Sequence, residues 1–218
     1  MRPVFAGKPI IGVAGGIGSG KSFVADLFEK EGCLVIRSDD LAKSAYADPT
    51  VRTQVEQLLG RDTYDAAGKV RPRAIAGRIF RDPAAKAALE RVLHPWVDRR
   101  RQQLMTDAGG SEIKAYVWDT PLLFESRLHE RCDAVVFVDA RRDVRLSRVR
   151  ASRGWDEAEL ARRENLQWPL DKKRAFAEYA VENTADAGRS SGNSDRLRGQ
   201  VQDVLSLILA RTSSDRVR

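Results

Sequence analysis

The chain has 218 residues, 42% hydrophobic and 32% charged, and its 38 Lys and Arg against 31 Asp and Glu give a formal net charge of +7. No apolar run approaches the roughly 18 residues of a membrane span, and the first strand pattern begins within about ten residues, which leaves no room for a signal peptide; we therefore expect a cytoplasmic protein without membrane contact. The positive charge suits phosphorylated substrates, whereas the arginine-rich stretches lack interleaved aromatic residues and zinc-finger or RNP-like motifs, so a nucleic-acid partner is not expected.

The first predicted strand leads into a phosphate-binding motif. Residues 9–14 have the pattern of a buried strand, and the following segment fits GxxxxGK[ST] at every fixed position: Gly15, Gly16, Ile17, Gly18, Ser19, Gly20, Lys21 and Ser22. Val24, Leu27 and Phe28 then recur at helical spacing. Backbone N–H groups of this phosphate loop (residues 15–22) can hold phosphates, Lys21 would reach the β- and γ-phosphates, and Ser22 would bind Mg²⁺. The sequence therefore predicts binding of a nucleoside triphosphate.

Two carboxylates follow the second predicted strand. Residues 33–36 have its apolar pattern, and Asp39 and Asp40 come directly after its carboxyl end. In a doubly wound sheet this end opens into the same crevice as the phosphate loop, so a carboxylate there could take a proton from an acceptor hydroxyl. The alternative is that these residues cap the helix that follows. An Asn/Thr-Lys-x-Asp signature is lacking, which favours ATP over GTP.

A long helical insert separates the second strand from the third. It spans about seventy residues, far more than one crossover helix requires, and it defines a helical lobe predicted at residues 45–109. Residues 65–68 have the composition of a turn within it. Two apolar stripes indicate buried helix faces, one with Val51, Val55, Leu58 and Leu59 and the other with Leu89, Val92 and Leu93.

The remaining elements continue the alternation of strand and helix. Strands are predicted at residues 115–118, 134–138 and 179–181, so the fold class is α/β, with a parallel sheet covered on both faces. The core would comprise about residues 1–44, 110–147 and 176–211. An arginine-rich segment after the fourth strand predicts a mobile lid at about residues 148–175, in which Asp156 would cap a helix running toward Gln167.

The last part of the chain is predicted as a loop, a helix and a tail. Residues 185–195 have a loop composition, and residues from Thr212 onward resemble a frayed end. The intervening stripe predicts a closing amphipathic helix through Leu197, Val201, Val204, Leu205 and Ile208. Cys33 and Cys132 border apolar strands, which is typical of buried thiols and not of a disulfide.

The motifs together resemble those of the dephospho-CoA kinase family. The shared features, in family order, are the phosphate loop, residues 35–39, the pair His94-Pro95, the DTPLLFE segment at residues 119–125, and Gln167, Lys173 and Asn183. The resemblance covers essentially residues 10–208. It implies a P-loop NTPase-type three-layer fold and transfer of the γ-phosphoryl group of ATP to the ribose 3′-hydroxyl of dephospho-CoA, giving CoA and ADP. This reaction is the last step of CoA synthesis.

The resemblance also implies roles for individual residues. Asp39 matches the catalytic base, Arg148 matches a lid arginine that acts with Lys21 in catalysis, and Asn183 joins residues 15–22 in binding ATP. The acceptor-side positions are matched by Arg73, His94, Asp119, Leu122, Leu123 and Glu125, with the helical lobe holding dephospho-CoA. The chain departs from the family pattern at Arg37, Pro72 and Ser152. A monomer or weak homo-oligomer is expected.

Two other hypotheses stay open from the sequence. A kinase of the nucleoside monophosphate or shikimate type would share the phosphate loop, the lid and the inserted lobe. A catalytically idle nucleotide-binding regulator could instead use the basic surface to hold RNA or another anionic partner, and its RNA affinity would then fall steeply with salt.

Overall fold

The structure is a computed structural model that describes residues 5–80, 82–110, 112–184 and 191–214. It divides into two compact units. The first unit comprises Met1–Ile36 and Ala108–Arg218, and the second unit comprises Arg37–Asp107. The division of the chain into a core, a helical lobe for the acceptor and a lid remains a prediction.

A five-stranded sheet organises the first unit. Its strands are β1 (Ile10–Gly15), β2 (Leu34–Arg37), β3 (Tyr116–Asp119), β4 (Ala134–Asp139) and β5 (Tyr179–Glu182), in the order β2-β3-β1-β4-β5. The pairings of β1 with β3, β1 with β4 and β4 with β5 are parallel. Every residue of β1 and β3 is buried, as expected for strands covered on both faces. The α/β class and all five predicted strands are confirmed, with ends shifted by one residue at most sites.

The described helices follow in chain order. They are α1 (Lys21–Lys30), α2 (Ser38–Ala45), α3 (Pro49–Leu59), α4 (Pro72–Ile79), α5 (Pro83–Asp107), α6 (Arg142–Arg153), α7 (Glu157–Glu164), α8 (Leu170–Ala175) and α9 (Ser191–Ser214). Short 3₁₀ turns lie at Arg61–Thr63 and Leu128–Arg131. None of the described helices combines the length and apolar character that crossing a membrane requires.

The core of the first unit lies between the sheet and the helices α1 and α9. Val24 and Phe28 of α1 pack with Val13 and Val136 of the strands. The predicted stripe of the closing helix is confirmed, since all five of its residues are buried: Leu197, Val201, Val204, Leu205 and Ile208. This packing places the phosphate loop at the carboxyl end of β1, between the sheet and the start of α1.

The second unit has its own core, built from α3, α4 and α5. The predicted stripes supply most of it, because Val51, Val55, Leu59, Leu89 and Leu93 are all buried. Leu58 differs from the prediction and is 37% exposed. Its side chain leaves α3 about 100° away from that of Leu59, on the edge of the buried face. The predicted turn at residues 65–68 is confirmed by the hydrogen bond from the Gly68 N–H to the Asp65 carbonyl.

Three predicted boundaries need correction. Helix α9 begins at Ser191, within the predicted loop 185–195, and residues 185–190 lie outside the described residues. The same helix continues to Ser214 with Thr212 buried, so Thr212 does not start a frayed tail; residues 215–218 lie outside the described part. Helix α7 ends at Glu164, short of Gln167, although its predicted cap is confirmed by the hydrogen bond from the Glu159 N–H to the Asp156 carboxylate.

Candidate active site

Glycines give the phosphate loop its backbone path. Gly18 and Gly20 have φ of +78° and +90°, in a region that residues other than glycine rarely adopt. A Cβ at Gly18 would come within 2.7 Å of the Arg145 carbonyl oxygen, and one at Gly20 would come within 2.3 Å of the Asn183 amide nitrogen. The loop therefore combines a left-handed backbone with close neighbours, and glycine meets both requirements.

Lys21, the first residue of α1, closes over the start of the loop. Its Nζ donates to the carbonyl oxygens of Gly15 and Gly16, at 3.2 and 3.0 Å. Burial of the ammonium group is the main cause that lowers the pKa of Lys21 to about 8. The nearby Asp119 carboxylate opposes this shift, whereas the cations of Lys173, Arg153 and Arg145 add to it. A polyanion in the loop would favour the protonated form of this lysine.

Two side chains whose oxygen atoms could bind a metal ion lie near Lys21: Ser22 follows it in sequence, and Asp119 is near it in space. Ser22 is exposed in the first turn of α1, and Asp119 ends β3 with 8% of its surface exposed. The effect of Asp119 on the pKa of Lys21 shows that its carboxylate lies within electrostatic reach of the ammonium. Hydroxyl and carboxylate oxygens are the ligand type that Mg²⁺ prefers, and Mg²⁺ in kinases uses few protein ligands plus substrate phosphates. The residues present thus fit this ion.

Arg148 and Asn183 hold the second half of the phosphate loop. Arg148, on α6, donates from Nη1 to the carbonyls of Gly18 and Ser19 and from Nη2 to the carbonyl and Oδ1 of Asn183, all at 2.9–3.2 Å. The Asn183 amide donates in turn to the Ser19 carbonyl at 2.8 Å. The structure therefore joins two of the predicted site residues to the loop. That Arg148 closes over ATP as a lid arginine stays a prediction.

The predicted acceptor segment 119–125 is largely built into the first unit. Leu123 is 2% exposed and lies against Gly12 of β1, whereas Leu122 is 42% exposed. Glu125, whose side chain is 16% exposed, forms an ion pair of 2.8 Å with the buried Lys173. Glu125 also accepts from the Trp168 backbone N–H, and Lys173 donates to Gln167. Glu125 and Leu123 thus have partners in the fold, and their contact with an acceptor stays a prediction.

A cleft of about 180 Å³ opens beside the loop at the carboxyl end of β4. Its lining includes Gly16, Asp139, Arg145, Asp171 and Arg174. Ligands of parallel α/β sheets bind at this end of the strands. Arg174 was not identified from the sequence, because it lies in a run of basic residues and belongs to none of the motifs that carry the family resemblance. Arg145 stood out only as one of many arginines in its segment.

Asp39 and Asp40 lie in the first turn of α2, in the second unit. The residue at the N-cap is Arg37, so neither aspartate occupies the capping position. The Asp40 carboxylate accepts from Lys43 at 2.9 Å on the helix surface. Both negative charges still suit the positive end of the helix dipole. Asp40 is therefore engaged in a local pair, and the catalytic assignment of Asp39 stays a prediction.

The other predicted residues of the second unit lie on separate helices. Arg73 is exposed on α4, and His94 is exposed on α5 beside Pro95, which lies inside that helix. A cleft of about 340 Å³ is lined by Asp48, Thr50, Val51, Gln54, Arg91, Val92, Pro95 and Arg99. Neither Arg73 nor His94 lines it. Arg101 is 3% exposed and bonded to Asp98 and Ser38, which gives it a structural role.

Comparisons with known proteins show the family to which the chain is similar. The family model for dephospho-CoA kinase matches residues 9–188. The dephospho-CoA kinase of Syntrophotalea carbinolica is 33% identical over 205 residues, covering 92% of each chain. That of Anaeromyxobacter dehalogenans is 36% identical over 191 residues, covering 86% of this chain and 90% of the relative. The crystal structure of TT1252 from Thermus thermophilus aligns with a TM-score of 0.72 at 32% identity, over 97% of this chain and 98% of that one.

These matches extend beyond the phosphate loop. They span the five-stranded sheet, Lys21, the 119–125 segment, Arg148 and Asn183 of the first unit, and all of the second unit. The chain therefore belongs to the dephospho-CoA kinase family.

Proposed function

We propose that this chain transfers the γ-phosphoryl group of ATP to the ribose 3′-hydroxyl of dephospho-CoA, giving CoA and ADP. The observation that carries the proposal is the glycine-shaped loop closed by Lys21 in a member of this family. Phosphoryl transfer needs mainly positioning and neutralisation of charge on the γ-oxygens. The loop and Lys21 supply both, and the protein would work in the cytoplasm as a monomer or weak homo-oligomer.

The loop residues bind and orient the nucleotide in this proposal. Backbone N–H groups of the loop and of the start of α1 would donate to the phosphates, where the helix dipole adds partial positive charge. Lys21 exchanges its two carbonyl partners for β- and γ-phosphate oxygens, and Arg148 with Asn183 keeps the second half of the loop in place. Ser22 and Asp119 would hold Mg²⁺, which neutralises phosphate charge when bound.

Asp39 acts on the acceptor. Its carboxylate accepts the proton of the ribose 3′-hydroxyl as that oxygen attacks the γ-phosphorus, so that the bond to the ADP oxygen breaks. Positioned acid-base groups typically contribute about 10²- to 10⁴-fold to the rate. The second unit holds dephospho-CoA, and Arg91 and Arg99 along its cleft are suited to the acceptor's phosphates.

The test is ADP release from Mg-ATP with dephospho-CoA, AMP, CMP, shikimate or water as the acceptor. We expect turnover with dephospho-CoA alone and one CoA formed for each ADP. Preference for AMP, CMP or shikimate would instead make the chain a related small-molecule kinase. ATP binding without turnover on any acceptor, together with RNA binding that weakens steeply with salt, would support the regulator hypothesis.

A further inference from the structure

Arg145 is a buried cation that contacts the backbone of the phosphate loop. It lies in α6 and is 4% exposed. Its Nε donates to the Ala140 carbonyl at 3.2 Å, and its Nη1 donates to the Ile17 carbonyl in the loop at 3.3 Å. A Cβ on Gly16 would meet the Arg145 guanidinium at 3.0–3.2 Å, so the side chain packs directly on the loop backbone.

The partner of this guanidinium is Glu164, the last residue of α7. Glu164 accepts from Nη1 of Arg145 and also pairs with Arg142 at 3.2 Å. Its side chain is 18% exposed, so the contact with Arg145 is largely shielded from water. Burial of an arginine requires that its donors be satisfied, and here the loop carbonyl and the α7 carboxylate share one nitrogen.

We infer that the Arg145–Glu164 ion pair positions the phosphate loop for ATP and makes the docking of α7 and the shape of the loop depend on each other. Glu164 fixes the guanidinium, and the guanidinium fixes the Ile17 carbonyl. With that carbonyl held outward, the adjoining N–H groups keep their orientation toward the phosphates. The inference rests on the proposed use of this loop to bind ATP. Arg145 and Glu164 are positioning residues, since neither is required to touch the substrate.

Reciprocity follows from linkage. If docking of α7 favours the ATP-binding shape of the loop, ATP must favour docking of α7 by the same factor. The chain offers a matched control, because Glu157 at the other end of α7 also pairs with Arg142, but both of those side chains are about half exposed. Glu157 thus ties α7 to α6 without contacting Arg145.

The test compares Glu164→Gln with Glu157→Gln, with ATP affinity measured in the absence of any acceptor. We expect Glu164→Gln to weaken ATP binding about tenfold, within the usual range of such couplings, and to speed amide hydrogen exchange of residues 16–20 in the free protein. Glu157→Gln should change neither. In steady state, Glu164→Gln should raise KM for ATP and leave KM for dephospho-CoA unchanged.

Arg145→Lys serves as the second variant, because it keeps the positive charge. A lysine lacks the planar guanidinium that bonds to Ala140, Ile17 and Glu164 at the same time. We therefore expect an ATP affinity between those of the wild type and Glu164→Gln. Unchanged loop exchange and ATP affinity in Glu164→Gln, or equal changes in Glu157→Gln, would overturn the inference. ATP binding and exchange do not involve the acceptor, so a failure of the proposed acceptor would leave this result intact.

Discussion

Lys21 illustrates how much the surroundings of one side chain decide. The motif predicts a lysine that reaches phosphates, but the lowered pKa arises from burial and from cations contributed by α6 and α8. The same holds for Glu125, whose burial would raise its pKa but whose hydrogen bonds from Lys173 and the Trp168 N–H give a net lowering. Both residues were identified in the sequence, whereas their electrostatic state depends on residues far away along the chain.

The pKa of Lys21 predicts how ATP affinity depends on pH. Below about 8 the lysine is protonated before ATP arrives, so affinity should be level. Above that pH the free protein must take up a proton on binding, and the Kd should rise about tenfold per pH unit until the bound-state pKa is reached. The terminal phosphate of ATP, whose last pKa is about 6, stays ionised over this whole pH range. Calorimetry from pH 7.5 to 9.5, about the range of this transition, measures the slope and the proton uptake.

Lys21→Met is the matched variant for this experiment. It should bind ATP more weakly at pH 7.5 and show no slope above about pH 8. An equal slope in the variant would mean that another group titrates.

Among the elements, the 119–125 segment is joined to α8 by an ion pair that is largely shielded from water. Lys173 is 2% exposed, and among the described residues its ion pair is with Glu125. Glu125→Gln should lower the free energy of unfolding by about 3 kcal/mol, because it leaves a buried lysine without its counter-charge. The double variant Glu125→Gln/Lys173→Met should recover part of that loss. Denaturant unfolding at pH 7 measures all three proteins.

The same pair should show a defined pH dependence. The pKa of Glu125 is lowered in the folded state, so its contribution is present above the unfolded value of 4.5 and is lost as the pH falls through the folded value. The difference between wild type and Glu125→Gln should therefore shrink in acid. Glu130→Gln is the control, because its ion pair with Arg127 is exposed and should matter little. A loss in Glu130→Gln equal to that in Glu125→Gln would contradict the assignment.

For the molecule as a whole, we predict that the first unit binds ATP and that the second unit supplies the catalytic base. Arg148 and Asn183, which contact the phosphate loop, belong to the first unit, and Asp39 belongs to the second. Asp39→Asn should therefore lower turnover by about 10²-fold or more while the Kd for ATP stays unchanged. Asp40→Asn is the neighbouring control and should keep turnover, since its carboxylate pairs with Lys43. Near-normal turnover of Asp39→Asn would show that the base is another residue.

Local patterns were sufficient for the sheet, the phosphate loop and most helices. Strand composition, helical spacing and GxxxxGK[ST] act over fewer than about twenty residues, which is why β1–β5, α1 and the Asp156 cap were predictable. The ends of α7 and α9 were not, because the composition of residues 165–167 and 191–195 does not decide where packing stops a helix. Leu58 was placed in the core for a related reason: a stripe indicates a buried face but not its width.

The motifs in the chain were enough to predict ATP binding and to identify the family, because the chemistry of phosphate binding demands particular residues at fixed spacing. Those motifs did not predict which distant residues hold the site in place. Arg145 lies 128 residues from the Ile17 carbonyl that it holds, and Glu125 reaches the Trp168 N–H across 43 residues. Arginines and glutamates on helix surfaces look alike in sequence, and folding buries a few of them against the loop. Burial removes competing water, and that makes these particular charges the ones that shape the site.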